Sequence, residues 1–239
     1  MQRYLFMKQK NDKFYEKVLV VAAHPDDEVL GCGGTIIKHK QAHDKVKIIF
    51  LADGISSRKD NTNFKEIELR RKHAISSSKI MGIDDIKFLD FPDNSLDSVQ
   101  LLKIIKKVEE IVRHYKPTII YTHHGGDLNI DHRIVHQAVM TACRPITESI
   151  CKKILCFEVL SSTEWSNQSI GYNFIPNTFI DISSQLKTKI KALKAYKKEI
   201  KKFPHPRSVK SVNSLAYLRG SEVGLEACEA FVNIREIIK

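Results

Sequence analysis

The sequence predicts an α/β fold in which a doubly wound, mainly parallel sheet carries helices on both faces. Two patterns lead to this prediction. Short runs rich in β-branched residues alternate along the chain with longer stretches of helical period. The strand-like runs are continuously apolar, which is typical of parallel strands covered on both sides. We therefore expect a Rossmann-like sheet of five or more strands and a mainly helical C-terminal third.

Four strands are predicted from apolar runs that are too short to form helices. The first begins at Val18 and the second at Val46, and both are rich in β-branched residues. The third begins at Ile86, and the fourth follows Pro117. The four predicted strands cover residues 18–23, 46–51, 86–89 and 118–122.

Four helices are predicted from apolar residues that recur at steps of three and four. The pattern is clearest between Leu101 and Val112. Gly82 ends the preceding helix, because glycine readily adopts the left-handed conformation found just past a helix C-terminus. The predicted helices cover residues 33–40, 66–81, 101–112 and 131–143.

The chain of 239 residues is long enough for one α/β domain with a sizeable core. It has no internal repeat and no linker-like boundary, so we expect an N-terminal extension at 1–16 and a single domain at 17–239. No apolar run approaches the ~20 residues of a membrane span, and we expect no secretory signal. The five cysteines include no C-x-x-C pair, which favours free thiols and a cytoplasmic location.

The net charge of +11 is concentrated in one segment. Residues 187–202 hold eight lysines and one acid, Glu199, and contribute +7 of that total. One alternative is a basic amphipathic helix that binds nucleic acid or a membrane surface. Such a run is more often a solvated helix face, and Tyr196 is the only aromatic residue there that could stack on bases. We therefore expect no nucleic-acid partner and no stable membrane insertion.

The first predicted strand runs directly into His24-Pro25-Asp26-Asp27-Glu28. In doubly wound sheets, ligands bind beyond the carboxyl ends of the strands, so a functional site is expected here. One imidazole and three carboxylates are costly to place together unless a cation compensates them. His24 and Asp27 can face one metal ion, while Asp26 points elsewhere and could hold a water. The plainer interpretation is a solvated turn whose acids cap the next helix.

A second polar cluster, Thr122 to His132, follows the fourth predicted strand. Asn129 or Asp131 can cap the helix that comes next. His132 lies in the first turn of that helix, and His136 lies one turn further along the same face. A histidine pair on a helix is more often surface or core than ligand, but the first cluster needs a third, neutral ligand. We expect His136, at most, to contact one of the metal-binding residues and not to bind the metal itself.

A family resemblance rests on two motifs, Ala23-His24-Pro25-Asp26-Asp27-Glu28 and Asn129-Ile130-Asp131-His132. Both resemble motifs of the PIG-L/LmbE family of zinc-dependent de-N-acetylases, of bacterial type. The segments 205–208, 215–220 and 229–231 are similar to the C-terminal part of bacterial members. The resemblance therefore covers nearly the whole chain.

The resemblance implies a role for each matching position. His24 and Asp27 match the first two zinc ligands, and His132 matches the third. Asp26 matches the general base. Three protein ligands with an open fourth position are typical of catalytic zinc, so one Zn²⁺ per chain is implied. The implied enzyme is a metal-dependent amidohydrolase that removes an N-acetyl, or other small N-acyl, group from an amino sugar or sugar conjugate.

One position departs from the family pattern. Many members carry a histidine three residues before the third ligand, whereas Asn129 stands here and cannot deliver a proton near neutral pH. The leaving amine is then protonated either by Asp26 or by a histidine from elsewhere, for which His205 is the candidate. The alternative is that His205 is only a turn residue between two prolines.

The implied substrate is a small N-acetylated amino sugar, either free or nucleotide-linked. Arg207 and Arg219 lie in the segments similar to the C-terminal part of the family, and we expect them to bind substrate. The sequence also allows a homo-oligomer.

A nucleotide-binding protein without hydrolase activity is the alternative from another class. Gly31-Cys32-Gly33-Gly34 follows the first strand, and Asp53 lies near the spacing of a ribose-binding acid. The third glycine of that fingerprint would fall at Ile36, and the preceding acids would oppose a pyrophosphate. The glycines more simply let the first helix pack closely on the sheet. No G-x-S-x-G motif supports a serine hydrolase.

Overall fold

The computed structural model describes residues 15–58, 64–146, 151–167 and 172–238. The strands are β1 (Lys17–Ala22), β2 (Lys45–Ala52), β3 (Ile86–Phe91), β4 (Ile119–His123), β5 (Lys153–Phe157), β6 (Thr178–Asp181) and β7 (Cys228–Glu236). The helices are α1 (Asp27–Gln41), α2 (Phe64–Ile80), α3 (Leu101–Tyr115), α4 (Ile130–Ala142), α5 (Leu186–Leu193) and α6 (Val209–Ser221).

The strands form one sheet in the order β3-β2-β1-β4-β5-β7-β6. The pairs among β1 to β5 are parallel, and β7 pairs antiparallel with both β5 and β6. This open, mainly parallel sheet confirms the predicted α/β class. From β1 the chain runs first to β2 and β3 and then crosses to β4 on the other side. The carboxyl ends of β1 and β4 therefore flank the crevice in which such sheets bind ligands.

Side chains of β1 alternate between two hydrophobic layers, because successive strand residues point to opposite faces. Val18 and Val20 pack with residues of α1, α2 and α5, whereas Leu19 and Val21 pack with α3 and α4. All four are fully buried. Burial of each such side chain contributes about 1.5–3 kcal/mol, so the two layers hold β1 rigidly at the centre of the sheet.

The C-terminal third contains α5 and α6, and it also supplies two strands that the sequence analysis did not predict. Strands β6 and β7 extend the sheet in antiparallel register beyond β5. Phe231 of β7 is fully buried and packs edge-on against Tyr121 of β4. Since β7 pairs with strands distant in sequence, no local turn pattern marked it.

The lysine-rich segment does not form one continuous helix. Helix α5 ends at Leu193, and the chain continues as turns. Lys189, inside α5, is buried and donates hydrogen bonds to the Leu30 carbonyl (2.9 Å) and to Oε1 of Glu229 (2.7 Å). The alternative of a basic amphipathic helix along the lysine-rich segment is therefore wrong. Within the described ranges, no helix is both long and apolar enough to cross a membrane.

Helix α1 begins at Asp27, earlier than the predicted start at residue 33. The prediction was wrong because the helix is kinked at Cys32, where φ is −145° and ψ is 23°. Beyond the kink, Glu229 accepts hydrogen bonds from the N–H groups of Gly34 (2.8 Å) and Thr35 (2.7 Å). Glu229 and its buried lysine partner thus satisfy backbone groups on both sides of the kink.

The glycines after β1 let α1 approach the sheet closely. A Cβ on Gly31 would lie 2.3 Å from Cδ2 of Phe157, and one on Gly34 would lie 2.7 Å from Cγ2 of Ile182. Both distances are far shorter than a carbon–carbon contact. Asp53 accepts hydrogen bonds from two backbone N–H groups of the turn that follows it. The two features of the nucleotide-binding alternative therefore have structural roles.

All five cysteines are buried and free, which agrees with the absence of a disulfide framework from the sequence pattern. The predicted N-terminal extension lies, as far as residue 14, outside the described residues. The assignment of residues 17–239 to a single domain stays a prediction.

Candidate metal centre

Two turns at neighbouring strand ends bring the predicted ligand side chains together. His24 and Asp27 follow β1, and His132 lies in the first turn of α4, which follows β4. Because β1 and β4 pair in parallel, both turns meet at the same edge of the sheet. All three side chains are buried, with exposures of 6%, 0% and 1%.

The ligand atoms of these residues face one another. Nδ1 of His24 lies 3.2 Å from Oδ2 of Asp27, and Nε2 of His132 lies 3.3 Å from the same oxygen. Two buried atoms in this group make no hydrogen bond, namely Oδ1 of Asp27 and Nε2 of His132. A buried polar atom without a partner is costly, and a cation would satisfy both atoms. Two imidazoles and a carboxylate form a donor set that suits zinc.

The opposite nitrogen of each imidazole faces a carboxylate. Nε2 of His24 lies 2.9 Å from Oδ2 of Asp131, and Nδ1 of His132 lies 3.2 Å from Oδ1 of Asp127. Asp127 is held in turn by hydroxyl hydrogen bonds from Ser162 and Thr163. Carboxylates in this position orient a metal-binding histidine and make it a stronger ligand.

A second group of possible ligands shares His24 and adds Asp93 and Asp131. Asp131 is a poorer ligand because its two oxygens already accept hydrogen bonds from the backbone N–H groups of Asn94 (2.7 Å) and Leu96 (3.0 Å). Unpaired ligand atoms occur instead in the group with Asp27. Asp131 is therefore suited to orient His24, and the group of His24, Asp27 and His132 is the candidate metal site.

The surrounding charges show that the centre favours cations. Burial alone would lower the pKa of His24, but hydrogen bonds with Asp131 and Asp27 raise it to about 10. Burial likewise opposes the charge on His132, yet Asp27 and Asp127 raise its pKa to about 9. Asp27 is also buried, but the neighbouring histidines hold its pKa well below the ordinary value. The carboxylates thus create a strongly negative potential at the ligand atoms.

His123, at the end of β4, supports the centre without joining the ligand group. Its ring stacks on that of His132 with centroids 3.9 Å apart, and its Nε2 accepts a hydrogen bond from the Ala23 N–H (2.8 Å). Burial and the charge of His132 hold the pKa of His123 well below its ordinary value. A neutral His123 therefore packs against the ligand histidine.

Asp26 is held in a strained backbone conformation beside the ligand group. Its φ of 119° is rare for a residue with a side chain and costs about 1–3 kcal/mol. Oδ2 accepts a hydrogen bond from Nη1 of Arg207 (3.0 Å) and lies 3.3 Å from Nη2 of Arg70. Oδ1 is buried and makes no hydrogen bond. Burial raises the pKa of Asp26, although the two arginines oppose the shift.

The remaining predicted site residues have varied surroundings. Asn129 caps α4, since its Oδ1 accepts from the Asp131 N–H (2.8 Å), and its Nδ2 donates to Asn94. Nδ1 of His136 lies 2.9 Å from the carbonyl oxygen of His123. Neither residue belongs to the ligand group found among the described residues.

His205 and Arg219 also have partners of their own. Nδ1 of His205 accepts a hydrogen bond from the Arg207 N–H (3.0 Å), and Arg219 forms a two-point pair with Glu158 (2.8 and 2.9 Å). No hydrogen bond or ion pair within the described residues joins either side chain to Asp26. Arg207 is the predicted substrate-binding residue that reaches the site.

Arg70, Asp127 and Glu199 are among the residues of the site that the sequence analysis missed. Asp127 follows two glycines inside the second polar cluster, which could have marked it. Glu199 pairs with Arg70 (2.5 Å), but it lies within the lysine-rich segment, and Arg70 lies in the middle of α2. Neither position carries a local signal of function.

Known proteins resemble this chain along most of its length. The profile of the family described as "PIG-L: GlcNAc-PI de-N-acetylase" matches residues 19–143. The uncharacterized deacetylase YaiS of Escherichia coli K12 is 30% identical over 186 residues, which are 75% of this chain and 90% of that protein. A diacetylchitobiose deacetylase of Thermococcus kodakarensis is 27% identical over 201 residues, 77% of this chain and 70% of that protein.

A solved structure shares the fold. The N,N′-diacetylchitobiose deacetylase of Pyrococcus horikoshii, in complex with an inhibitor, has a TM-score of 0.75 at 20% identity, covering 92% of this chain and 84% of that one. The family profile matches more than half of the chain, and YaiS is 30% identical over most of its own length. The chain therefore belongs to the PIG-L family.

Proposed function

We propose that this chain is a zinc-dependent hydrolase that removes an N-acetyl, or other small N-acyl, group from an amino sugar or sugar conjugate. The observation that carries the proposal is the buried group of His24, Asp27 and His132, in which unpaired ligand atoms lie beside the carboxylate of Asp26. Family membership supports it, as do the names of two relatives, which are both called deacetylases.

Asp26 has the properties of a general base. A zinc ion held by the three ligands would polarise the amide carbonyl and acidify a water molecule. Oδ1 of Asp26, which makes no hydrogen bond, accepts the proton of the attacking water. Arg207 and Arg70 bind Oδ2 and so fix the carboxylate in one orientation. A raised pKa also suits a carboxylate that must take up a proton and release it again.

The leaving amine needs a proton. Asn129 caps α4 and cannot deliver a proton near neutral pH, so Asp26 is the first candidate for returning the proton. His205 is the second candidate, because Arg207, two residues further on, contacts Asp26. In this account Arg207 holds the base and Asn129 orients the turn that carries His132.

The substrate is an amino sugar that carries an N-acetyl group, by analogy with the relative named a diacetylchitobiose deacetylase. A nucleotide-linked sugar stays a second possibility from the sequence analysis. The fold by itself does not decide the reaction, since one fold supports many chemistries. The ligand group and the neighbouring Asp26 support amide hydrolysis.

Acetate release tests the proposal. Purified protein is assayed with N-acetylglucosamine, N,N′-diacetylchitobiose and uridine diphosphate N-acetylglucosamine, before chelation, after chelation and after zinc is added back. We expect release that chelation abolishes and zinc restores. A protein that carries stoichiometric metal but releases acetate from none of these compounds would contradict the proposed reaction. Full activity after complete metal removal would contradict the role of zinc.

A further inference from the structure

We propose that Trp165 is a stacking platform for a second pyranose ring, so that the enzyme acts on an N-acetylated sugar joined to at least one further sugar. This inference rests on the proposed function and names its substrate class. Trp165 is the only tryptophan of the chain, and it lies on a short helical turn, Thr163–Trp165, after β5.

Hydrogen bonds tie this turn to the metal centre. The hydroxyl of Thr163 donates to Oδ2 of Asp127 (2.6 Å), and Ser162 donates to the other oxygen of the same carboxylate. Asp127 in turn orients His132. Trp165 follows Thr163 by two residues, which limits the separation of their Cα atoms to about 7 Å. The turn that carries the indole therefore lies next to the centre.

A second connection joins the turn to the candidate base. Nε of Arg207 donates to the hydroxyl of Ser161 (2.6 Å), while Nη1 of the same arginine donates to Asp26 (3.0 Å). The ring of Trp165 packs at 70° to that of His205, with centroids 6.3 Å apart. The segments 161–165 and 205–207 thus form one wall that reaches Asp26 through Arg207, and Trp165 lies on this wall.

The indole is 53% exposed on this wall. Tryptophan is a large apolar side chain that is highly buried on average, so a half-exposed indole next to a candidate active site offers an open aromatic face. The face of an aromatic ring is negative, and it attracts the C–H groups on the apolar face of a pyranose. Tryptophan also loses little conformational entropy on binding, because it has only two side-chain torsions.

The neighbours of Trp165 favour a sugar over other occupants. Glu164 and Asn167, next to it in sequence, are exposed and polar, so polar groups stand around the edge of the indole. A neutral pyranose, apolar on its faces and polar at its edge, fits an aromatic face with polar groups around it.

Steady-state kinetics of the zinc-loaded protein tests the proposal. We expect Trp165→Ala to raise the KM for N,N′-diacetylchitobiose by about 10-fold or more, equivalent to about 1.4 kcal/mol, because the variant removes the aromatic face on which the second ring stacks. The KM for N-acetylglucosamine should change by less than ~3-fold, and Trp165→Phe should restore most of the loss. Tyr15→Ala is the matched control, since Tyr15 is 48% exposed but precedes β1 at the opposite edge of the sheet.

Tryptophan fluorescence supplies a readout that does not depend on turnover. With substrate in large excess, diacetylchitobiose should change the emission of the single indole in a saturable way, and N-acetylglucosamine should not. Thermal unfolding of each variant verifies that it is folded. Equal kinetic effects of Trp165→Ala on both sugars, or no effect on either, would overturn the proposal.

The outcomes separate this inference from the proposed function. Acetate release that is insensitive to Trp165 overturns the platform and leaves the hydrolase intact. A saturable emission change without acetate release supports the platform and contradicts the hydrolase. An emission change with uridine diphosphate N-acetylglucosamine alone would overturn the pyranose and assign the indole to a nucleobase. If neither an emission change nor acetate release were observed, both the platform and the hydrolase would be contradicted.

Discussion

Nε2 of His24 lies 2.9 Å from Oδ2 of Asp131, and this contact directs the other nitrogen of the ring, Nδ1, toward Asp27. Asp131 is itself fixed by two backbone N–H groups at the end of the loop after β3. The orientation of the first ligand therefore depends on a carboxylate that is more than a hundred positions away in sequence. The first prediction follows from this dependence.

Asp131→Asn should weaken metal binding without unfolding the protein. The amide keeps the shape of the side chain, but it removes the charge that makes His24 a stronger ligand. Loss of such an outer carboxylate costs about 10–100-fold in metal affinity. A competition titration with a chromogenic zinc chelator measures the change. An unchanged zinc affinity would show that Asp131 serves only the loop.

His132→Ala should abolish both metal binding and activity, because it removes one of the three ligands. His136→Ala is the matched control. His136 lies one turn beyond His132 on α4 and contacts His123, so its replacement should leave about one zinc per chain. Elemental analysis of the purified proteins decides this. A stoichiometric metal signal in both variants would place the metal elsewhere.

Asp26→Asn should keep zinc and lose turnover by ~100-fold or more, since the amide cannot act as a general base. Its side chain still accepts a hydrogen bond from Arg207. The measurement is zinc content together with kcat. If Asp26→Asn lost the metal and Asp27→Asn retained it, the roles of ligand and base would be exchanged.

His205→Ala separates the two candidates for the proton donor. If His205 participates, turnover should fall by ~10- to 1,000-fold with unchanged zinc content, and one limb of the pH–rate profile should disappear. Near-normal turnover with a raised KM would make His205 a substrate-positioning residue. Asp26 would then be left as the proton carrier.

Glu28→Gln should make stability less dependent on pH. Burial raises the pKa of Glu28 to about 8 from an ordinary 4.5, despite hydrogen bonds from Tyr196 and the Asp26 N–H. Between these two values the unfolded chain loses a proton that the folded protein keeps, so stability falls as the pH rises toward 8. Glutamine stays neutral and should lack this decline. Thermal melts of both proteins from pH 5 to pH 9 test it, and parallel curves would contradict the assignment.

Local pattern predicted the part of the fold in which elements follow one another in sequence. Strands β1 to β4 carry continuous apolar runs, and the helices between them carry apolar residues at steps of three and four. Both patterns are visible in the sequence of each element by itself. The start of α1 was missed because the helix is kinked at Cys32 and because the acids before the kink, Asp27 and Glu28, look like a polar turn. Strand β7 was missed because its pairing is non-local.

The site shows the same distinction between residues marked by local sequence and residues brought in by non-local packing. His24, Asp27 and His132 lie at strand ends, where topology alone brings side chains together. Arg70 reaches Asp26 from the middle of a helix, and Glu199, in a lysine-rich loop, pairs with Arg70. Such contacts depend on how helices pack across the sheet, and one sequence does not reveal them.

The kink in α1 has a consequence for the order of assembly during synthesis. The ribosome makes the helix that begins at Asp27 early, but Glu229, which completes the hydrogen bonding at its kink, comes from the last strand of the sheet. A nascent chain that has emerged as far as residue 143 holds all three ligands and Asp26, yet it lacks both β7 and this carboxylate. The hydrogen bonding of α1 is therefore completed only when β7 is in place, although this helix is among the first elements to be made.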